Sequence, residues 1–600
     1  MNPFLSTAPR LRMRFEWVLI AIILCVFYGT HFKRDWSLHV DQELTLAYNA
    51  ILLNSGLWQE YYDHPGFFTI LLLSFLMKVA HAIGYLSVAN IEELNRAPSM
   101  FIAFGQMLVV AKHLAMLSCL GLCLITYRTL LRFLSAPGLC FVLTLAVFFS
   151  SGVIEHFINP RTELITFLLF LGSILSCYAW LCNRIPTVRA YIFWLIWILL
   201  ILLSFGLSWQ QGLFQEEVPA FGYQVGFLIL VACVWLIRFR KDALVVYGLA
   251  VFLWLDLAAL NKMQILFYAP IYYAWLAFFL CTPRKAMPAL GAHAVAENSV
   301  LGIANATITN TLPNGAQLPL LRQGLLLVPG IICLIFNLLF WQYITIAKSV
   351  YIHWALLLAF NAIFIGYWWY QRQSLAWPLI ALNINFLLGF AFSFLFILAY
   401  TGHTYDYFKY FINPTLTLFH ANQSVVGRLH LNETVNLSAV WWQVRHSLAF
   451  LLAPLQEIIT QRNSQLIFVL LDASLFALVY RSLSLKQKYN VLICVIAAYA
   501  ISLISQLRYS GNNYLFFYES IWFVLFVYLL SFLKSVSVQL SFATFLLVGT
   551  LLLTGGNIWS RLNDASNQHQ LICTGGYMAG WHERLDMKAF SAECIRRHLK

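Results

Sequence analysis

Between Trp17 and Thr30 no residue carries a charge, and residues 164–183 and 190–215 run on in the same way. Stretches of that length constrain a chain more than any motif does. A helix of a water-soluble domain keeps a polar face, whereas a hydrocarbon layer of about 30 Å takes roughly 20 predominantly apolar helical residues to cross. Apolar runs of this order recur along nearly the whole chain, and 61% of its residues are hydrophobic against 10% charged, which excludes the water-soluble globular class. Alternating segments of strand length are absent, so the spans must be helices. The sequence predicts an all-α polytopic membrane protein with about fifteen transmembrane helices, juxtamembrane helices in outer loops and a small outer tail.

Orientation follows from the basic clusters. Arg10, Arg12 and Arg14 precede the first apolar run and no small-residue cleavage site follows it, so it reads as an uncleaved anchor with its N-terminal side in the cytoplasm. Arg128/Arg132, Arg184/Arg189, Arg238/Arg240/Lys241, Arg284/Lys285, Arg372 and Arg481/Lys486/Lys488 take the same side. Segments 31–65, 155–163, 209–222, 261–264, 401–464, 508–513 and the tail from 556 then face outward. The parity holds only if 66–88, interrupted by Lys78 and His81, lies along the outer face or dips into it instead of crossing.

The net charge of +13 is mostly this topology signal, which argues against nucleic acid as a partner. Four regions are expected: a catalytic membrane core over 1–281, a cytoplasmic linker over 282–322, a second helix block over 323–555 containing the large outer loop 401–464, and an outer tail over 556–600. Most of the twelve cysteines sit in apolar runs. Cys573 and Cys594 lie in the polar tail on the oxidising side, where a disulfide between them is expected.

Chemistry is cheapest to place in the outer loops, and the first is the richest. DQELTLAYNAILLNSGLWQEYYDHPGFFTILLLSFL, from Asp41, gives an acidic pair, a short amphipathic helix, an Asn-Ser-Gly turn, and Asp-His-Pro-Gly heading an apolar helix. Further on stand ELNRAPSM (93–100), INPRTEL (158–164), ALNKMQILFYAP (259–270) and LRYSGNNYLFFYES (507–520). In their order and their expected side these segments resemble the GT-C glycosyltransferases, especially the protein O-mannosyltransferase and lipid A aminoarabinose transferase branch. The resemblance covers roughly the first 280 residues and the stretch near 508. Two departures stand out: the acidic motif is Asp-x-Glu where that branch has adjacent acids, and Gly66 stands where a second Pro is frequent.

The resemblance implies a GT-C-type helical core in a bacterial inner membrane with its site facing the periplasm, the endoplasmic reticulum being the alternative. It implies transfer of a sugar from a polyprenyl-phosphate donor to a hydroxyl on a glycan, lipid or protein acceptor. Such a transfer needs a carboxylate to take the acceptor's proton and fixed cations to hold the departing phosphate. Asp41 and Glu43 suit the first role and could also hold a divalent metal ion; no other cofactor is implied. His64, Arg96, Lys262 and Arg508 beside Tyr509 suit the second, and Arg161 with Glu163 forms a further polar cluster near His156. Each has a plainer reading: helix capping for the acidic pair, an interfacial ring for His64, a snorkelling flank for Arg96, and an ion-paired loop end for Arg161 and Glu163.

His403, His420 and His430 lack metal-ligand spacing, Asn422, Asn432 and Asn436 head sequons relevant only to a eukaryotic lumen, and nucleotide-binding Gly motifs are missing. Two other functions stay open. A transporter or flippase of lipid-linked sugars would carry charges near mid-membrane, as Asp256 and Asp472 could provide, although no pair of broken helices is visible. A polysaccharide polymerase or ligase would centre on a late outer loop such as 401–464.

Overall fold

The computed structural model describes residues 4–31, 42–57, 66–134, 136–158, 160–181, 243–262, 463–485, 515–563 and 587–598, with isolated positions at 59, 381, 384, 385, 487, 488, 491, 492, 495, 584 and 585. The linker 282–322 and residues 401–462 of the expected loop 401–464 lie outside them, and the last two positions of that loop already belong to a helix. The described residues are mostly helical, with no strand among them. The chain falls into two compact units, Met1–Leu168 with Phe419–Lys600, and Leu169–Leu418.

In the first unit the helices are α1 (Phe4–His31), α2 (Gln42–Asn54), α3 (Phe67–Ala82), α4 (Ile91–Arg96), α5 (Met100–Phe133), α6 (Pro137–Phe148), α7 (Ser151–Ile158) and α8 (Glu163–Leu181), which runs on into the second unit. The second unit's other described helix is α9 (Ala243–Asn261). Back in the first unit follow α10 (Asn463–Val479), α11 (Leu515–Leu530), α12 (Val536–Asn563) and α13 (Met587–His598).

Among the described residues two helical stretches, Met100–Leu131 and Val536–Leu553, are long and apolar enough to cross a membrane, and a third if α6 and α7 form one bent span. Helix α5 begins where its sequence says it should: Pro98 cannot continue α4, and Ser99 caps the new helix by accepting from Ile102 N at 3.1 Å. It packs against α1, α2, α3, α6 and α7 and is the central post of the unit. At its far end Arg128 reaches Glu16 of α1 with two N–H···O bonds of 2.8 and 3.1 Å, so these two positions share a level. That guanidinium holds the Glu16 carboxyl below its ordinary range. Several hydroxyls inside the apolar helices bond to the carbonyl four residues back, as Ser118 does to Leu114 and Thr144 to Cys140.

Helix α3 has 16 residues, about 24 Å, and is short of a full crossing. Ile70, Leu73, Ser74 and Met77 are buried, α3 packing on α2 and α5, while Leu71, Leu72, Phe75, Lys78 and Val79 are exposed. After it, His81 bonds the Leu86 carbonyl at 3.0 Å, and Asn90 caps α4 while Glu93 reaches back to Ala89 N at 2.6 Å and to Asn90 Nδ2 at 2.9 Å.

Helix α13 docks on the start of α5. Ser99 Oγ lies 2.7 Å from both Glu593 oxygens, Asn95 Nδ2 donates to the Arg584 carbonyl at 2.8 Å, and the Phe590 ring meets those of Phe101 and Phe104. Cys594, fully buried, is in a disulfide; Cys573 lies outside the described residues. In the second unit Gly172 of α8 sits so close to Trp254 of α9 that a Cβ would overlap the indole, and Ser173 Oγ donates to the Val251 carbonyl at 2.9 Å.

Candidate functional site

Helices α6 and α7 meet at a 61° bend at Phe149 and Ser150. The sequence reading has a span ending before an outer segment at 155–163 and marks no break, whereas α7 runs through the first part of that segment as a buried helix. Beyond it α7 is buried along nearly its whole length and carries Glu155 and His156 into the protein. Irregular backbone at such depth is tolerated only where protein or a water-filled cavity surrounds it.

The chain then turns through Pro160, Arg161 and Thr162 into α8. His156, Thr162 and Glu163 are all 0% exposed. His156 Nδ1 stands 3.9 Å from Glu163 Oε2, an ion pair only when the imidazole carries a proton. Thr162 Oγ1 donates to the same carboxylate oxygen at 3.4 Å. Arg161 is half-buried, with its Nε and Nη1 shielded from solvent. Buried charge of this density persists only where the groups are paired or hydrogen-bonded.

The segment that follows Asp41 reaches this cluster through Gly66. Its φ is +53°, in the left-handed region, and a Cβ there would lie 2.8 Å from the Thr162 Cγ2 methyl and 3.2 Å from Leu46 Cδ2. Proline, with φ fixed near −65°, cannot occupy that conformation, which gives a physical reason for the Gly after Pro65. Head of α3, α2 and the 158–164 turn therefore converge on one point. Glu43 precedes Leu46 by three positions, one turn along the same helix, and is 6% exposed in the first turn of α2. The helix dipole alone favours a carboxylate there. Its burial is the feature that the dipole does not account for.

A third segment contributes a residue that was not anticipated. Glu519 of α11, 3% exposed, accepts from the Gly152 N–H at the start of α7 at 3.0 Å. Glu155 and Thr162 were likewise unanticipated. Their signal was polar residues beside apolar runs, in SGVIEHF and NPRTEL.

Of the residues expected from the sequence, Glu43, Arg161 and Glu163 belong to this neighbourhood. Arg96 does not join the buried cluster: its side chain is 79% exposed and pairs with Glu92 at 3.7 Å, one helical turn away. Lys262, at the end of α9 in the second unit, is 1% exposed. Asp41, His64, Arg508 and Tyr509 lie outside the described residues, and Asp41 directly precedes the first residue of α2. Among the described residues no group of three or more His, Cys, Asp or Glu side chains could hold a metal ion.

In comparisons with protein-family models, curated proteins and solved structures, nothing matched this chain.

Proposed function

We propose that this chain is an integral-membrane glycosyltransferase with a GT-C-type helical core of about fifteen spans, moving a sugar from a polyprenyl-phosphate donor to an acceptor hydroxyl at the outer face. The observation that carries the reading is the meeting at Gly66 of two motifs about a hundred residues apart, the acidic helix after the first apolar run and the INPRTEL turn. Their packing against one another supports placing both in one site.

In the proposed reaction the acceptor oxygen gives its proton to Asp41 or Glu43 and attacks the anomeric carbon. The bond from that carbon to the phosphate oxygen breaks, and the polyprenyl phosphate leaves with the electron pair. A phosphate is a weak base, so the site needs cations more than a strong general acid. Arg161 in the cluster, with His64 and Arg508 beside Tyr509, would supply them, and Lys262 of the second unit is a further candidate in its own right. Membrane lipids would hold the donor's chain beside the outer mouth, in a bacterial inner membrane.

The test is single-turnover transfer by Asp41→Asn and Glu43→Gln with a polyprenyl-phosphate sugar that the wild type uses. The base variant should bind donor yet lose about 10² to 10⁴ in rate. Full activity in both would remove these carboxylates from the reaction.

One pair of observations favours a second reading, a transporter of lipid-linked sugars. Asp472 lies halfway along α10, is 4% exposed, and has no hydrogen-bond partner for either oxygen among the described residues. Together with the α6–α7 break, it is the kind of feature carried by membrane proteins that move charge or solute. Loss of sugar-lipid flux in Asp472→Asn, with transfer absent in the wild type, would put that reading first.

A further inference from the structure

The break at Phe149 and Ser150 makes α7 begin inside the protein. A helix that starts there presents backbone N–H groups with no preceding carbonyl to receive them, and Ser150, Ser151 and Gly152 are all buried from water. Ile154 N reaches back to the Ser150 carbonyl at 3.0 Å. Gly152 N is satisfied from elsewhere, by Glu519 of α11 across 367 positions of sequence. Glu519 is the only ionisable carboxylate in α11, whose other residues are almost all apolar or aromatic. A buried carboxylate in such a helix is costly unless something holds it, and the positive end of α7 does so.

His156 follows Gly152 by four residues, so it stands one turn further along the same face of α7. At eight residues α7 is about 12 Å long, with few internal bonds to fix its own direction. It is packed along its length by α1, α5, α11 and α12, and the polar contacts at its two ends add direction to that packing. One end is Glu519; the other carries His156 to within 3.9 Å of Glu163.

We infer that Glu519 is the positioning residue of the candidate site: its carboxylate anchors the inner start of α7 and thereby sets the stand of His156 against Glu163. The catalytic side of this inference rests on the proposed transferase activity; the anchoring does not.

The experiment uses the full-length protein in detergent or nanodiscs and has two arms. In the first, a cysteine replaces His156, and its reaction with a small maleimide, above the labelling of the parent chain, is timed with Glu519, Glu519→Gln and Glu519→Ala. Gln keeps an acceptor oxygen for Gly152 N–H, so its labelling should stay near that of Glu519. Ala removes the acceptor and should raise the labelling rate about tenfold or more, the size of one lost buried hydrogen bond to a charged group. In the second arm, with His156 intact, Glu519→Ala should lower kcat for transfer about tenfold with donor KM within about twofold, and Gln should restore most of it. Should the Ala variant not fold, Glu519→Asp, shorter by one methylene, should fall between Glu and the loss expected of Ala in both arms.

Equal labelling in all backgrounds would overturn the anchoring. Equal loss of kcat in Gln and Ala would overturn the positioning role, because the acceptor oxygen would then be irrelevant. A wild type that transfers no sugar would sink the transferase reading alone and leave the labelling arm to decide the anchor.

Discussion

Gly66 is where the convergence of the two motifs can be tested by stability. Gly66→Ala imposes two separate costs. An L-residue at φ +53° loses about 1 to 2 kcal/mol against the left-handed backbone. The added methyl would also stand 2.8 Å from Thr162 Cγ2 and 3.2 Å from Leu46 Cδ2, an overpacking that costs about 1 to 3 kcal/mol more. The sum is about 2 to 5 kcal/mol. Gly84 supplies the control, because its φ is +77° but nothing lies within 4 Å of its would-be Cβ, so Gly84→Ala should lose only the backbone part. Thr162→Ser supplies the rescue, deleting the γ-methyl while keeping the hydroxyl that faces Glu163. Thermal inactivation of the purified protein, read as half-life at fixed temperature, should rank Gly84→Ala above the Gly66→Ala/Thr162→Ser double variant, and that above Gly66→Ala. If Gly66→Ala is no worse than Gly84→Ala, or if Thr162→Ser gives no relief, the 158–164 turn does not pack on the head of α3.

Three further outcomes are expected. The Glu16 carboxyl is held below its ordinary value of 4.5 by Arg128, so the pair's stabilisation is present above that value and is lost as pH falls through the lowered one. The stability gap between wild type and Arg128→Gln, at most about 1 kcal/mol for so exposed a guanidinium, should therefore close in acid; a gap unchanged to pH 3 would contradict the pairing. Ser99→Ala removes both the α5 cap and the donor to Glu593 and should cost about 1 to 3 kcal/mol, with faster proteolysis near residues 584–597 as the direct readout. Lys262→Met and Arg508→Ala should each weaken donor binding about tenfold to a hundredfold, measured by equilibrium binding of a polyprenyl-phosphate sugar, and unchanged affinity in both would return them to ordinary loop and flank residues.

What could be read from the sequence was what local chemistry decides. Ser99 after Pro98 announces a helix start, and Ser99 is the cap of α5. The short helix expected after Asp41 is α2, although it is buried nearly all round and not amphipathic, and the i, i+4 spacing of Glu92 and Arg96 already contained their exposed pairing. The 61° break gave little local sign, because Phe148, Phe149, Ser150 and Ser151 neither forbid a helix nor contain a Pro; only the Ser-Ser-Gly cluster hinted at it. Glu519 lies within the quoted segment 507–520, but its role could not be read there. Its meaning comes from Gly152, and no periodicity links positions 367 residues apart.

The bonds from Ser99 to Glu593 and from Asn95 to the Arg584 carbonyl also impose an order of events on biosynthesis. The partners are separated by 494 and 489 positions. At ribosomal speeds of about 5 to 20 residues per second, the head of α5 waits roughly 25 to 100 s for its acidic partner to be made. During that interval the whole of unit Leu169–Leu418 is synthesised between the two halves of the other unit. The nascent head of α5 must be kept from wrong partners for the length of that delay, and a chain cut short after α12 would have early helices that lack the contact that closes them.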